Sequence, residues 1–301
     1  MLSLLQDIGR FGKHDIGLTT GGAMDAIAYK WANRLLANKL SATAIEVTVG
    51  GLELEATVNT FIAVTGAKVP LTINKEKKAL WQVHAISVGD IINLGFAAQG
   101  LYAYLSVASG FNITEQFGSS ATVSRESIGG LNGGPLKIND QLPCAEVSKI
   151  KVVQLAEHYR PLYNREAILR VVLGYQQSSF SNDEKRRFFS SQYTVSTRCD
   201  RMGYSLEGAE ISCDIEGILS EGICFGAVQI PADGQPIILL NDRPTIGGYP
   251  KIGSVLSIDC ARLAQLPAGS KVRFEAIDIY GAQHLIQLAQ SQFQSTPMDQ
   301  C

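Results

Sequence analysis

The sequence has no run of about 18 apolar residues, the length a membrane span requires. Its opening, MLSLLQDIGRFGKHD, carries neither a basic lead nor a long apolar stretch. No transmembrane helix and no signal peptide are expected, and a cytoplasmic protein is. The six cysteines, Cys144, Cys199, Cys213, Cys224, Cys260 and Cys301, never fall in a CxxC pattern, and the four histidines are scattered. No zinc-ligand spacing results, so no metal site is expected, and the thiols read as free in a reducing compartment. There is no GxxxxGK[ST] loop, no GxGxxG between a strand and a helix, and no GxSxG elbow. A Walker-type nucleotide site, a Rossmann cofactor site and an α/β-hydrolase nucleophile are thereby excluded. A Met-Lys-Met tripeptide is also missing, so the chain has no biotin attachment site. Charge is sparse, at 18% of residues and a net −2. Nucleic acid or an anionic membrane as main partner would need a basic surface, and none is encoded.

What is present is apolar and rich in glycine. The 301 residues are 46% hydrophobic, with 29 glycines against 10 prolines. A length of this order suits two domains, and many glycines in a weakly charged chain indicate tight turns between short strands. Strand patterns dominate: Phe61 to Gly66, Leu101 to Gly110, Ile168 to Gly174, Pro236 to Asp242 and Lys271 to Ile277. Each is β-branched or aromatic and bounded by Gly, Asp or Pro. SVGDIINLG at Ser87 and PAGSKVRFEAI at Pro267 read as turns feeding a strand. Helix signals are few. The best is Asp25 to Asn38, where Asp25 caps and Ala28, Trp31, Ala32, Leu35 and Leu36 form one apolar stripe. Shorter signals lie at Asn182 to Ser190 and Ala282 to Phe293.

The expected fold is mainly β, with two β-barrel domains and a few short helices. The polar stretch Lys149 to Arg165 serves as linker, so the domains are expected over 1–150 and 151–301. In each half a strand ending in a Gly-containing loop is followed by a Gly-Ser string, GSSATVS (Gly118 to Ser124) and GSVLSID (Gly253 to Asp259), a weak internal echo.

Three segments combine glycine with Arg and acids: Gln6 to Asp25, Ser196 to Gly208, and Ser220 to Ser254. Glycines admit close approach of backbone to a ligand, exposed amides cradle an oxyanion, and Arg forks onto a carboxylate. Each feature also has a structural reading. Gly21-Gly22 and Gly247-Gly248 read as turns, Asp7 with Arg10 as a surface pair, and Arg198, Asp200 and Arg201 as an ion-pair network. His14 reads as a solvated loop residue. Glu46, in a strand pattern, either faces solvent or is buried with a partner, and a buried paired carboxylate is a site candidate. Composition and spacing give a polar, glycine-lined cleft and no named reaction.

The same segments, in order, carry a resemblance. QDIGRFG, GLTTGGAMD, ANRLLAN and AIEVTVGG, then RCDRMGYSLEG and LSEGICFGAVQIPADGQPIILLNDRPTIGGYPKIGSVLSID, resemble the allophanate hydrolase subunit 2 family. That family includes KipA-like proteins, biotin-dependent carboxyltransferase subunits and the C-type subunits of 5-oxoprolinase. The likeness runs from about Leu5 to Phe274. It departs at Gly21 and Cys199, where serines are usual, and at Pro244-Thr245-Ile246, where Gln-Thr-Thr is usual. The resemblance implies cyclophilin-like β-barrels and an ATP-dependent 5-oxoprolinase complex, with subunits A and B, that opens 5-oxo-L-proline to L-glutamate. ATP would be used by the complex, with the nucleotide-binding subunit left open. The alternatives it implies are carboxyl transfer from carboxybiotin to urea or a similar amide, and a non-enzymatic antagonist of a kinase inhibitor. Candidate catalytic residues are Asp200, Arg201, Glu221 and Asp242. Candidate substrate-binding residues are Arg10, Gly21, Gly22, Asp25, Arg198, Gln229, Gln235, Thr245, Gly247, Gly248 and Tyr249. In either amide reaction a carbonyl must be polarised and a nucleophile activated. Glycine amides would serve the first, and Asp200, Glu221 or Asp242 the second.

Overall fold

The computed structural model describes residues 2–215 and 217–301. The chain divides into two compact units, residues 1–163 with 296–301, and residues 164–295.

In the first unit nine strands form two antiparallel sheets. They are β1 (Leu2–Gln6), β2 (Ala44–Thr48), β3 (Leu52–Glu55), β4 (Thr60–Lys68), β5 (Leu71–Ile73), β6 (Glu76–Lys78), β7 (Val83–Ile86), β8 (Ile91–Leu94) and β9 (Gln99–Val107). One sheet has the order β1-β2-β9-β4-β7 and the other β3-β8-β5-β6. Their facing side chains share a single core, with Ile45, Val64 and Leu105 from the first sheet against Leu71, Ile92 and Leu94 from the second. The strands of this half thus pair as two sheets on one core, while the closed barrel belongs to the other unit.

Helix α1 (Ala26–Leu35) covers the opposite face of the five-stranded sheet. Asp25 caps it, its Oδ1 accepting from the amides of Ile27 and Ala28, as the sequence pattern predicts. Because both faces of β4 are covered, its side chains are buried continuously. Ile62 and Val64 enter the inter-sheet core, and Phe61 and Ala63 pack with Leu35 and Leu36.

The second unit is a closed seven-stranded barrel. Its strands are β11 (Glu166–Leu173), β12 (Gln192–Cys199), β13 (Gly203–Glu207), β15 (Ala227–Gln229), β16 (Ile237–Leu239), β18 (Lys251–Val255) and β19 (Lys271–Ala276); β14 (Glu221–Gly222) and β17 (Ile246–Gly247) form a separate two-stranded ribbon. Around the barrel the order is β11-β18-β15-β16-β13-β12-β19, closed by the parallel β11–β19 pair. Helix α2 (Asn182–Ser190) inserts Phe188, which stacks on Phe274 at 4.2 Å and lies against Tyr193. Ser181 caps this helix through the amide of Glu184. Helices α3 (Ser257–Ala264) and α4 (Ile279–Ser295) complete the unit, after which β20 (Asp299–Gln300) returns to pair with β10 (Val153–Gln154) of the first unit.

Two sequence expectations change here. The linker expected over 149–165 is largely part of the first unit. Leu155 donates its amide to Trp81, Gln154 bridges to Gln82, and β10 pairs with β20, which moves the division to Tyr163/Asn164. GSVLSID is a strand only as far as Val255, because α3 begins at Ser257. Its buried Asp259 binds Arg170 bidentately at 2.6 and 2.8 Å. GSSATVS forms no strand, so the echo has no common structure. All six cysteines are free thiols. Among the described residues no helix is long and apolar enough to cross a membrane.

Candidate functional site

The first unit carries a buried polar network on the turn before α1. Asp7 accepts four hydrogen bonds, from the Gly9 amide, the Ser119 hydroxyl, and the amide and hydroxyl of Ser120. Arg10 is no surface residue. It is fully buried, and its guanidinium donates to the carbonyls of Gln116, Ser119 and Ala121. Glu46 is also fully buried; its Oε2 accepts from the Met24 amide at 2.8 Å and from the Tyr104 hydroxyl at 2.7 Å. The Tyr104 oxygen in turn accepts from the Asp25 amide, and the Tyr163 hydroxyl donates to Asp25 Oδ2. Burial first, then the charges of Glu46 and Asp25, pushes Tyr104 well above the ordinary phenol range; burial and Asp25 do the same for Tyr163. Both phenols therefore stay protonated and donate. Tyr104 and Tyr163 were missed by sequence reasoning, which had no signal linking them to Asp25.

Gly21 and Gly22 both have positive φ. The Gly22 amide donates to Gln6 Oε1 at 3.1 Å, so it is spent on the turn and offers no oxyanion cradle. A Cβ at Gly22 would meet the backbone of Ile8 and Gly9 at 3.0 Å. Gly22→Ala is accordingly expected to cost about 1–3 kcal/mol through left-handed strain and that contact. Thermal unfolding followed by the buried Trp31 and Trp81 measures it. Arg10, Gly21, Gly22 and Asp25 are thus brought together, as parts of a closed structural network. His14 stands exposed, with its ring nitrogen 2.9 Å from the Thr20 hydroxyl.

In the second unit the expected residues separate into three places. Asp200 is the turn residue of the β12–β13 hairpin, its Oδ1 accepting from the amides of Met202 and Gly203. Arg198, two residues earlier in β12, is exposed. Arg201 is buried and forks onto buried Asp242, with Nε–Oδ2 and Nη2–Oδ1 both at 2.9 Å. The ion-pair reading of this segment therefore holds for Arg201, whose partner is Asp242 rather than Asp200. Gln235 ties its loop to Gly208 through both ends of its amide.

The third place is a polar cluster around Glu221. Strand β14 pairs with β17, setting Glu221 opposite Gly247. Glu221 Oε1 accepts from Tyr175 Oη, from Lys251 Nζ, and from Gln176 Nε2 at 2.8 Å. Gln176 Oε1 accepts from the Lys251 amide at 2.7 Å, so one glutamine bridges the cluster. The bonds from Lys251 and Tyr175 hold Glu221 below the ordinary carboxylate range, and the bond to Glu221 raises Tyr175. Glu221 is thereby kept ionised and Tyr175 protonated. Gln229 is the register partner of Lys251 across β15–β18, and both side chains are buried. Thr245, Gly248 and Tyr249 flank the ribbon; the Thr245 carbonyl accepts from the Ile223 amide, the Gly248 carbonyl from Ile218, and Tyr249 is half-exposed. Lys251, Tyr175 and Gln176 were not anticipated. Lys251 lies in the same GGYPKIGS segment, and a lysine in an apolar glycine-rich strand was the available signal.

Of the four expected catalytic residues, Glu221 alone joins an accessible cluster of polar side chains. Arg201 and Asp242 neutralise each other, and Asp200 supports a turn. The arrangement at Glu221 offers a lysine ammonium and a phenol hydroxyl on one carboxylate, beside a buried amide. It can hold and polarise a small carbonyl compound.

The C-type subunit of 5-oxoprolinase from Haemophilus influenzae is 34% identical over 283 residues, covering 93% of this chain and 90% of that protein. The Escherichia coli protein of the same name is 34% identical over 278 residues, covering 91% and 88%. The crystal structure of the Kluyveromyces lactis urea carboxylase superposes with a TM-score of 0.91 at 25% identity, over 98% of this chain and 28% of that one. The model of the carboxyltransferase domain, subdomain A and B, matches residues 16–276, and the chain belongs to that family.

Proposed function

We propose that the chain is the C-type member of a cytoplasmic, ATP-dependent 5-oxoprolinase that works with an A and a B subunit. The overall reaction adds water across the lactam C–N bond of 5-oxo-L-proline to give L-glutamate, while ATP is hydrolysed to ADP and phosphate. The observation that carries this reading is the 34% identity to proteins of that name over about nine-tenths of both chains. On this reading Glu221, Lys251 and Tyr175 form the chain's contribution to the amide site. A base that works near neutral pH needs a pKa near neutrality. Glu221 is pulled the other way, so it serves as the anchor that orients Lys251 and Tyr175. Lys251, whose ammonium keeps hydrogens beyond the one it gives Glu221, is the donor placed to stabilise negative charge on an amide oxygen, with Tyr175 helping to fix Glu221, and the attacking group comes from elsewhere in the complex. Nucleotide binding is likewise assigned to a partner in the assembly. The buried arginines Arg10, Arg201 and Arg243 are already bonded to carbonyls or to Asp242.

A second reading is a carboxyltransferase that moves a carboxyl group from carboxybiotin on a separate carrier to urea or a similar amide. The match to the carboxyltransferase-domain family and the likeness to the urea carboxylase structure favour it.

The test is reconstitution with the A and B subunits, with glutamate release from 5-oxoproline followed with and without ATP. ATP-dependent glutamate is expected from the assembly and none from this chain alone. Glu221→Gln is expected to lower turnover of the intact assembly by about 10²-fold or more. An assembled complex that releases no glutamate, but carboxylates urea when supplied with carboxybiotin, would replace the first reading with the second.

A further inference from the structure

Gln229 is 5% exposed, yet its Nε2 has no hydrogen-bond partner. A buried amide donor left unpaired is costly, and such groups concentrate at functional sites. Its position is specific. Gln229 shares a register pair with Lys251, so the two side chains leave the same face of the sheet. Its Nε2 lies 3.0 Å from where a Cβ on Gly247 would stand, and Gly247 is the register partner of Glu221. Ile223 Cδ1 lies 2.6 Å from the same point, so the missing side chain at Gly247 lets Nε2 and Ile223 close against the ribbon beside Glu221. Lys251 and Glu221 cancel in charge beside it. A neutral acceptor suits a site whose uncommitted donor is a neutral amide.

We infer that Gln229 is the specificity-determining residue of this site, its Nε2 reserved for the carbonyl oxygen of an amide ligand held at the Glu221–Lys251 cluster. The inference rests on the amide-processing reading above and adds to it the atom that recognises the amide. A lactam and a ureide both present such an oxygen, and the two are separated by the experiment.

Gln229→Met keeps length and volume and removes the unpaired donor. It is expected to raise the melting temperature by about 2–4 °C, while abolishing ligand recognition. A glutamine with an ordinary structural role would show the opposite, a lower melting temperature. In the ¹⁵N-labelled chain, the side-chain amide signal assigned to Gln229 by its loss in Gln229→Met is followed on titration with 5-oxo-L-proline and, separately, with urea. A saturable shift with either probe is expected, and Gly247→Ala should remove it, because a methyl group there collides with Ile223 Cδ1 at 2.6 Å and Gln229 Nε2 at 3.0 Å and displaces the amide. A shift with urea and none with 5-oxoproline would keep Gln229 as the recognition residue and discard the lactam reading. No shift with either probe, or a melting temperature that falls in Gln229→Met, would overturn the assignment, even if the reconstituted complex hydrolyses 5-oxoproline.

Discussion

Asp242→Ala is expected to lower the stability of the second unit by about 3–5 kcal/mol, the cost of leaving a buried charge without its partner. The Arg201 guanidinium and the Asp242 carboxylate are each less than one-tenth exposed and meet in a two-bond fork. Removing the carboxylate leaves a cation that water barely reaches and whose hydrogen bonds to Asp242 are gone. Backbone bonds join the same two segments, the Asp242 amide donating to the Arg201 carbonyl and the Leu240 amide to that of Met202, and alanine keeps both. The pair therefore staples the β12–β13 turn to the end of β16. Urea unfolding followed by far-ultraviolet circular dichroism gives the magnitude, and hydrogen exchange in β13 and β16 locates it. Replacing both residues by apolar ones of similar size, Arg201→Met with Asp242→Leu, should recover most of the loss, since a buried pair adds little net stability over well-packed hydrocarbon. An Asp242→Ala variant within about 1 kcal/mol of the parent would mean that the guanidinium finds water or another partner. The practical consequence concerns catalysis. Loss of activity in an Arg201 or Asp242 variant reports unfolding of this corner and carries no information on chemistry unless stability is measured beside it.

This pair shows how far the sequence reading reached. Local periodicity found α1 with its Asp25 cap, α2, and the strands around Phe61, Leu101, Ile168 and Lys271, because each signal lies within one element. Helix α3 was hidden because it follows Val255 without a loop and because Gly253 and Ser254 look like a strand start. The motif stretches marked the right segments but not the pairings within them. Asp200, Arg201 and Asp242 are all charged, and only the hairpin register decides that Arg201 turns inward to Asp242 while Asp200 stays in the turn. The Glu221 cluster is assembled from residues 175, 176, 221 and 251, up to 76 positions apart, joined by the ribbon and by the bridging Gln176. No spacing rule finds a partnership made by register. Glu46 was legible as an anomaly, an acid in an apolar strand, and its two readings could be separated only by seeing which face of β2 is covered.

Glu46→Ala should cost the first unit about 3–5 kcal/mol. Glu46 is fully buried, and its Oε2 receives both the Met24 amide and the Tyr104 hydroxyl. Alanine leaves both donors without an acceptor, at about 1–3 kcal/mol for each unsatisfied buried group, and opens a cavity besides. The Tyr104 hydroxyl also accepts from the Asp25 amide, so its displacement reaches the start of α1. The fall in melting temperature should be roughly 6–12 °C for a 3 kcal/mol loss in a unit of this size. Trp31 and Trp81 are the chain's two tryptophans and both are buried in this unit, so fluorescence isolates its transition. Glu46→Gln separates the causes. Its amide oxygen can still accept from Met24 and Tyr104, so a loss of only about 1–2 kcal/mol would assign the stability to hydrogen bonding. A loss equal to that of alanine would assign it to the carboxylate charge instead. Either way Glu46 stands as the centre of a closed network. The amide site proposed above therefore rests on the accessible cluster of Glu221, Lys251 and Tyr175, where the Lys251 ammonium keeps hydrogens beyond the one it gives Glu221.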